Sequence, residues 1–215
     1  MQTQKIDNPL ILSDKRRKIL DTLSEMNEVV DSDDYVSRRF TFYDSGAFRN
    51  VYKLGRNYVL KVAIDEDGRE HNLHEIELSK KNYYFLTKIY DYTENGNWLI
   101  AEKVAKLDRP QFCNVFNFHY YAWEKIVIYE VDTKLNRVPY EIRTPISTIE
   151  KKKILSHKFT KDIINFCVEN KLAPRDIVKV SSLGMKKNRE VCVIDYGLTY
   201  KEYIKINEEG MYGGD

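Results

Sequence analysis

Tyr58-Val59-Leu60-Lys61-Val62-Ala63 is the stretch on which the fold turns. Its apolar and β-branched residues read as a strand. Lys61, the one charge, has two readings. If the strand is packed on both faces, the lysine needs a carboxylate partner, because burying it unpaired is costly. If one face is wet, Lys61 points to solvent. On the first reading the partner is Glu75, 14 residues on, with Glu70 and Glu77 as rivals.

Working outward, residues 39–43 and 50–54 read as two more strands. The connectors Asp44-Ser45-Gly46-Ala47 and Gly55-Arg56-Asn57 are short, which predicts an antiparallel meander. Downstream, Asp65-Glu66-Asp67-Gly68 reads as a turn and residues 69–82 as a helix with Leu73, Ile76 and Leu78 on its apolar side. Residues 88–92 and 97–104 form a strand pair around Glu94-Asn95-Gly96-Asn97. Residues 39–104 thus run strand, strand, strand, helix, strand, strand. In front of them, Ser13 or Asp14 caps a helix to about residue 30, with Ile19, Leu23, Met26 and Val30 on one face. Asp31-Ser32-Asp33-Asp34 is expected to break that helix.

Past Asp108-Arg109-Pro110 the pattern turns helical. One helix is predicted over 116–130 and a longer one over 147–170, with Leu155, Phe159, Ile163 and Phe166 at helical spacing. Residues 131–145 read as a loop. Residues 177–180 and 191–194 read as short buried strands around a turn at Lys186-Lys187-Asn188-Arg189. Three segments follow in domain order: an N-terminal helical extension over 1–38, a small lobe over 39–104 and a helical lobe over 105–215.

Three further residues carry chemistry. Gly46 sits where two strands fold over, and a glycine there lets backbone N–H groups approach an anion; an ordinary hairpin has the same sequence. Asp195 follows four apolar residues and precedes Tyr196-Gly197. That suits either a metal-facing carboxylate at a strand–loop junction or a plain turn. Asp176, 19 residues earlier, follows Pro174-Arg175. His71 and His74 share a helix without an evident third ligand and read as surface histidines. Trp98 and Trp123 read as core.

With 35 basic and 33 acidic residues in 215, the formal net charge of +2 gives no strong pull toward nucleic acid. Two basic runs, Lys15-Arg16-Arg17-Lys18 and Lys151-Lys152-Lys153, read as solvated faces or as contacts for an acidic partner. No long apolar run predicts a membrane span, and no apolar signal core follows the N-terminus, so a cytoplasmic protein is expected. Cys113, Cys167 and Cys192 form neither a zinc pattern nor a disulfide framework.

Together, the hexapeptide 58–63, Asn72-Leu73-His74-Glu75 and Val193-Ile194-Asp195-Tyr196-Gly197 resemble the eukaryotic-type protein kinase superfamily, in a minimal form similar to short kinase-like proteins of bacteriophages. The resemblance covers roughly residues 39–200. It implies an α+β, bilobal kinase-like fold, with a five-stranded antiparallel small lobe carrying one helix and a reduced, mostly helical second lobe. It also implies ATP and Mg2+ held in an interlobe cleft. Gly46 would mark the phosphate-covering loop, and Lys61 with Glu75 the ion pair on the phosphates. Glu102 and Val104 would bound the adenine hinge. Asp176 would be the catalytic base and Asp195 the metal ligand, with Ser181 at the second metal position.

The chain departs from the family pattern at Ala47 and Asn50, where glycines often stand, and at Pro174, in place of histidine. Ser181, followed by Ser182, replaces an asparagine, and serine is a poorer Mg2+ ligand than an amide oxygen. With 18 residues after Gly197 and no Ala-Pro-Glu element, no long activation segment is expected. Two function classes follow. One is a phosphotransferase acting on a protein or other acceptor. The other is a pseudokinase, a kinase-shaped module that inhibits or redirects a protein partner.

Overall fold

The computed structural model describes residues 12–26, 29–138, 142 and 145–208. They divide into two compact units. Unit 1 holds the described residues up to Tyr83 together with Thr87–Lys103, and unit 2 holds Tyr84–Leu86 and the described residues from Val104 onward.

Unit 1 is built on a five-stranded antiparallel sheet of order β1-β2-β3-β5-β4. The strands are β1 Thr41–Ser45, β2 Arg49–Lys53, β3 Tyr58–Ala63, β4 Ile89–Tyr92 and β5 Trp98–Glu102. Residues 59–63 of β3 are all buried, so the strand has no wet face. Its alternation sorts two packing layers. Leu60 and Val62 join Trp98 and Ile100 against Leu20 and Leu23 of α1 (Asp14–Ser24) and Val36 of α2 (Val29–Ser37). Val59 joins Leu99 and Ala101 against Ile76 of α3 (Glu66–Ser79). Each such apolar side chain contributes about 1.5–3 kcal/mol by leaving water. Truncating Leu60, fully buried in the middle strand, to alanine would cost about 2–5 kcal/mol.

Two local expectations for unit 1 are corrected. Residues 31–34 do not break a helix; they lie inside α2. Asp31 sits in its first turn, where the helix dipole favours an anion. The Asp33 carboxylate accepts from Asn50 Nδ2 at 2.9 Å and from the Tyr52 hydroxyl at 2.7 Å, which ties α2 to β2. Burial and that acceptor both raise the Tyr52 phenol pKa. The stretch 65–68 is likewise a helix start. Asp65 is the N-cap of α3, its Oδ1 accepting from Gly68 N at 2.7 Å. The helix expected through residues 27 and 28 falls there outside the described residues.

Unit 2 is mostly helical: α4 Arg109–Phe116, α5 Tyr120–Lys134, α6 Thr148–Ser156, α7 Lys158–Glu169, α8 Pro174–Val178 and α9 Tyr200–Glu208. A three-stranded sheet of β6 Ala105–Lys106, β7 Leu183–Met185 and β8 Val191–Val193 completes it. Asp108 starts α4 through a capping box with Gln111, and Asn117, at φ 56°, separates α4 from α5. Trp123, fully buried, centres an aromatic core with Phe112 and Phe159 and donates to Thr160 Oγ1 at 3.2 Å.

The long helix expected over 147–170 is two helices. His157 is extended (φ −69°, ψ 133°), and its ring packs edge-on against Phe116 and Phe118. Residues 177–180 are not a strand. Pro174, pre-set for a first helical turn, opens α8, and Val180–Ser182 follow as a 3₁₀ turn. Of the loop expected over 131–145, residues 139–141, 143 and 144 lie outside the described residues. No helix among the described residues is long and apolar enough to cross a membrane.

Candidate functional site

Lys61 lies on the α3 side of the central strand, 7% exposed. Its Nζ donates to Glu75 Oε2 at 2.7 Å and Oε1 at 3.0 Å. Glu75, on the buried face of α3, is 1% exposed. A second cation meets the same carboxylate: Arg49 Nη2 lies 2.8 Å from Glu75 Oε1. Arg49 Nη1 also donates to Asn72 Oδ1 at 3.2 Å, and Asn72 Nδ2 donates to Gly96 O at 2.8 Å. Charge-assisted contacts of this length, out of water, hold β2, β3, α3 and the β4–β5 turn in one arrangement.

Arg49 and Asn72 were not singled out from sequence. The signal lay in the pairing register. Val51 pairs with Lys61 and Arg49 with Ala63, so alternation puts Arg49 on the Lys61 face. Glu70 and Glu77, the rival partners, are exposed on α3, where Glu77 pairs with Lys80.

Gly68 sets how closely α3 approaches the sheet. A Cβ there would stand 2.2 Å from Phe48 O and 3.1 Å from Ala63 Cβ. His71, on the next turn, is corrected from surface to buried, 5% exposed with its ring 4.9 Å from Phe48. Gly46 is exposed; its N–H donates to Arg49 O at 2.8 Å, closing the β1–β2 turn, and a Cβ there would make only an ordinary contact, 3.9 Å from Arg49 O. At the end of β5, Glu102 N donates to Lys88 O and Lys103 N to Asn57 O. Val104 belongs to unit 2, where its side chain fills the room left by Gly184, whose Cβ would come within 2.5 Å of it.

In unit 2, Asp176 is 7% exposed on α8, and its carboxylate accepts from Lys179 Nζ one turn on. Asp195 is half-buried, two residues past β8. Two cross-ties join their segments. Ala173 N donates to Leu198 O, and the β7–β8 ladder, Leu183 opposite Val193, continues with Ile194 N on Ser182 O at 2.8 Å. Ser181, exposed, and Asp195 each lie one residue beyond that last tie.

No protein-family model and no curated protein matches the chain. Among solved structures it is similar to ADP-bound aminoglycoside phosphotransferase APH(2'')-Ib, at 16% identity over 86% of this chain and 71% of that one, TM-score 0.39. It is also similar to APH(2'')-IIa in a gentamicin complex, at 14% over 87% and 71%, TM-score 0.37. A third is SAICAR synthase from Saccharomyces cerevisiae with SAICAR, at 10% over 82% and 87%, TM-score 0.34. Likeness at this level carries no argument about activity. The α+β architecture is nonetheless the kinase-like one expected from sequence: a five-stranded antiparallel sheet, with the helix between β3 and β4 carrying the carboxylate that meets the β3 lysine.

Proposed function

We propose that this chain binds ATP with Mg2+ and transfers its terminal phosphoryl group. Lys61 neutralises phosphate charge, and Glu75, itself braced by Arg49, holds the lysine in place. The residues bounded by Glu102 and Val104 serve the adenine, Gly46 marks the turn over the phosphates, and Asp176 orients the acceptor hydroxyl. The observation that carries this reading is the buried Lys61–Glu75 contact at 2.7 Å. Phosphoryl transfer asks a protein mainly for positioning and charge compensation, and a lysine fixed out of water offers both.

The donor set fits magnesium in one mode. Among the described residues no group of three His, Cys, Asp or Glu could hold a metal. Mg2+ usually takes one or two carboxylates and completes its shell with water and substrate phosphates, and half-buried Asp195 suits that, with the Ser181 hydroxyl as a weaker oxygen donor. When bound, the ion would neutralise charge on the phosphate oxygens.

The second reading is a pseudokinase: a binding module, of the kind phages encode, that uses the same nucleotide site to inhibit or redirect a protein partner. The engagement of the Asp176 carboxylate by Lys179 and the serine at position 181 favour it. Incubation with γ-labelled ATP, alone and with cell lysate, separates the two. Transfer to the chain or to an acceptor, lost in Asp176→Asn, supports catalysis. ATP binding without transfer supports the module, and absence of ATP binding removes both.

A further inference from the structure

Unit 1 carries a second concavity that the nucleotide reading does not use. A cavity of about 530 Å³ is lined by Ser13, Lys15, Arg16, Arg39, Thr41 and Lys53 over the half-buried Ile19 and Phe40. Four of these side chains are cations and none is an acid. The nearest acid in sequence, Asp14, shares a turn with Lys15 but is not among the lining residues. Arg39 is fixed by stacking 3.6 Å over the Tyr35 ring and by donating Nη1 to Tyr35 O at 2.8 Å. Ser13, the N-cap of α1, spends no side-chain hydrogen bond on capping. Two of the four cations, Lys15 and Arg16, come from the basic run at the start of α1, so that run is partly a wall rather than only a solvated face.

The cavity lies at the open end of the β1–β2 hairpin. Thr41 pairs with Lys53 there, whereas Ser45 pairs with Asn50 at the end that carries Gly46. Four residue steps separate the two ends, roughly 13 Å of strand. It is therefore a different place from the turn assigned to the nucleotide's phosphates.

The geometry points to a binding site for a compact polyphosphate-bearing small molecule, gripped by the Arg16 and Arg39 guanidinium forks with Lys15 and Lys53 supplying further charge. Forked donors match phosphate oxygens in pairs, and four like charges around one concavity focus an attractive field on a multiply charged anion. The volume is of small-molecule size. A long nucleic-acid strand would instead call for an extended basic stripe with stacking aromatics, on a chain more basic than net +2.

The test uses the full chain carrying Lys61→Met, so that the proposed nucleotide site is silent. Inorganic triphosphate is titrated calorimetrically at low and high salt, beside ATP, inorganic phosphate and a single-stranded 12-mer. We expect saturable triphosphate binding that weakens with salt. It should fall at least 10-fold in Arg16→Glu/Arg39→Glu and by a smaller factor in Lys15→Glu/Lys53→Glu, whose two sites are exposed and tolerate charge reversal without unfolding. ATP bound as tightly as triphosphate would mark a nucleotide's phosphates as the natural source; triphosphate alone would mark a free polyphosphate. No triphosphate binding, binding unchanged in both reversal variants, or the 12-mer outcompeting triphosphate would each overturn the assignment.

Discussion

Glu75→Gln and Lys61→Met should differ sharply in their cost to folding, although they break the same contact. Glu75 is 1% exposed and meets two buried cations, Lys61 at 2.7 Å and Arg49 at 2.8 Å. Glutamine keeps the shape but removes the charge, leaving both cations buried without their shared carboxylate. Breaking a buried pair in this way costs about 3–5 kcal/mol. Lys61→Met leaves Glu75 with Arg49 and puts an apolar chain of similar length in the lysine's place. That should cost about 0–2 kcal/mol, the net loss of the lysine's charged hydrogen bonds to Glu75 being offset by its own desolvation.

The chain has two tryptophans, Trp98 in the unit 1 core and Trp123 in unit 2. In a Trp123→Phe background, Trp98 fluorescence reports unit 1 alone during thermal unfolding. The expected separation is a Tm lower by roughly 6–20 °C for Glu75→Gln against at most about 8 °C for Lys61→Met, at about 2–4 °C per kcal/mol for a chain this size. Equal costs would refute the shared-carboxylate reasoning, as would a Glu75→Gln cost under about 1 kcal/mol.

Gly68→Ala should lower the unit 1 unfolding midpoint and weaken ATP binding together, because its Cβ would stand 2.2 Å from Phe48 O and must push α3, with Glu75, off the sheet; binding at full strength would show that the Glu75 position is not set there. Burial lowers the His157 pKa below its ordinary 6.5. Its folded-state pKa being depressed, unfolding takes up a proton as pH falls below about 6.5, so stability is full above that pH and declines on acidification. His157→Gln should flatten that part of a urea-midpoint profile measured from pH 7.5 to 5.5; an unchanged slope would exclude His157 as its source. Burial also pushes the Cys167 thiol well above its ordinary range, and Cys192 is buried too. Native alkylation read by mass spectrometry should label Cys113 first, and rapid labelling of Cys167 would contradict the packing around α7.

Much of unit 1 was legible because its signals are periodic. Short connectors around Gly46 and Gly55 pointed to the meander, and a lone lysine in an apolar hexapeptide named Glu75 as its partner if the strand was packed on both faces, which its burial decided. The sequence did not reveal that α1 and α2 cover the other sheet face. Asp33 read as part of a breaker because its partners, Asn50 and Tyr52, lie on a distant strand. Arg49 became visible once its register with Ala63 was known. In unit 2 the short stretch Ile177-Val178-Lys179-Val180 fits strand and helix alike, and Pro174 decided it locally. The break at His157 has no glycine or proline to announce it; aromatic packing against Phe116 and Phe118 makes it.

If Lys61, held by Glu75, is there for a nucleotide's phosphates, ATP should stabilise the chain through it. The most direct measurement is ATP-induced stabilisation, with and without magnesium, for the chain with an Arg16→Glu/Arg39→Glu background and for the same background carrying Lys61→Met. At about 100 times the dissociation constant, ATP with magnesium should stabilise the first by about 2.7 kcal/mol, less without the ion, and the second scarcely at all. No stabilisation of the first, or equal stabilisation of both, would contradict it.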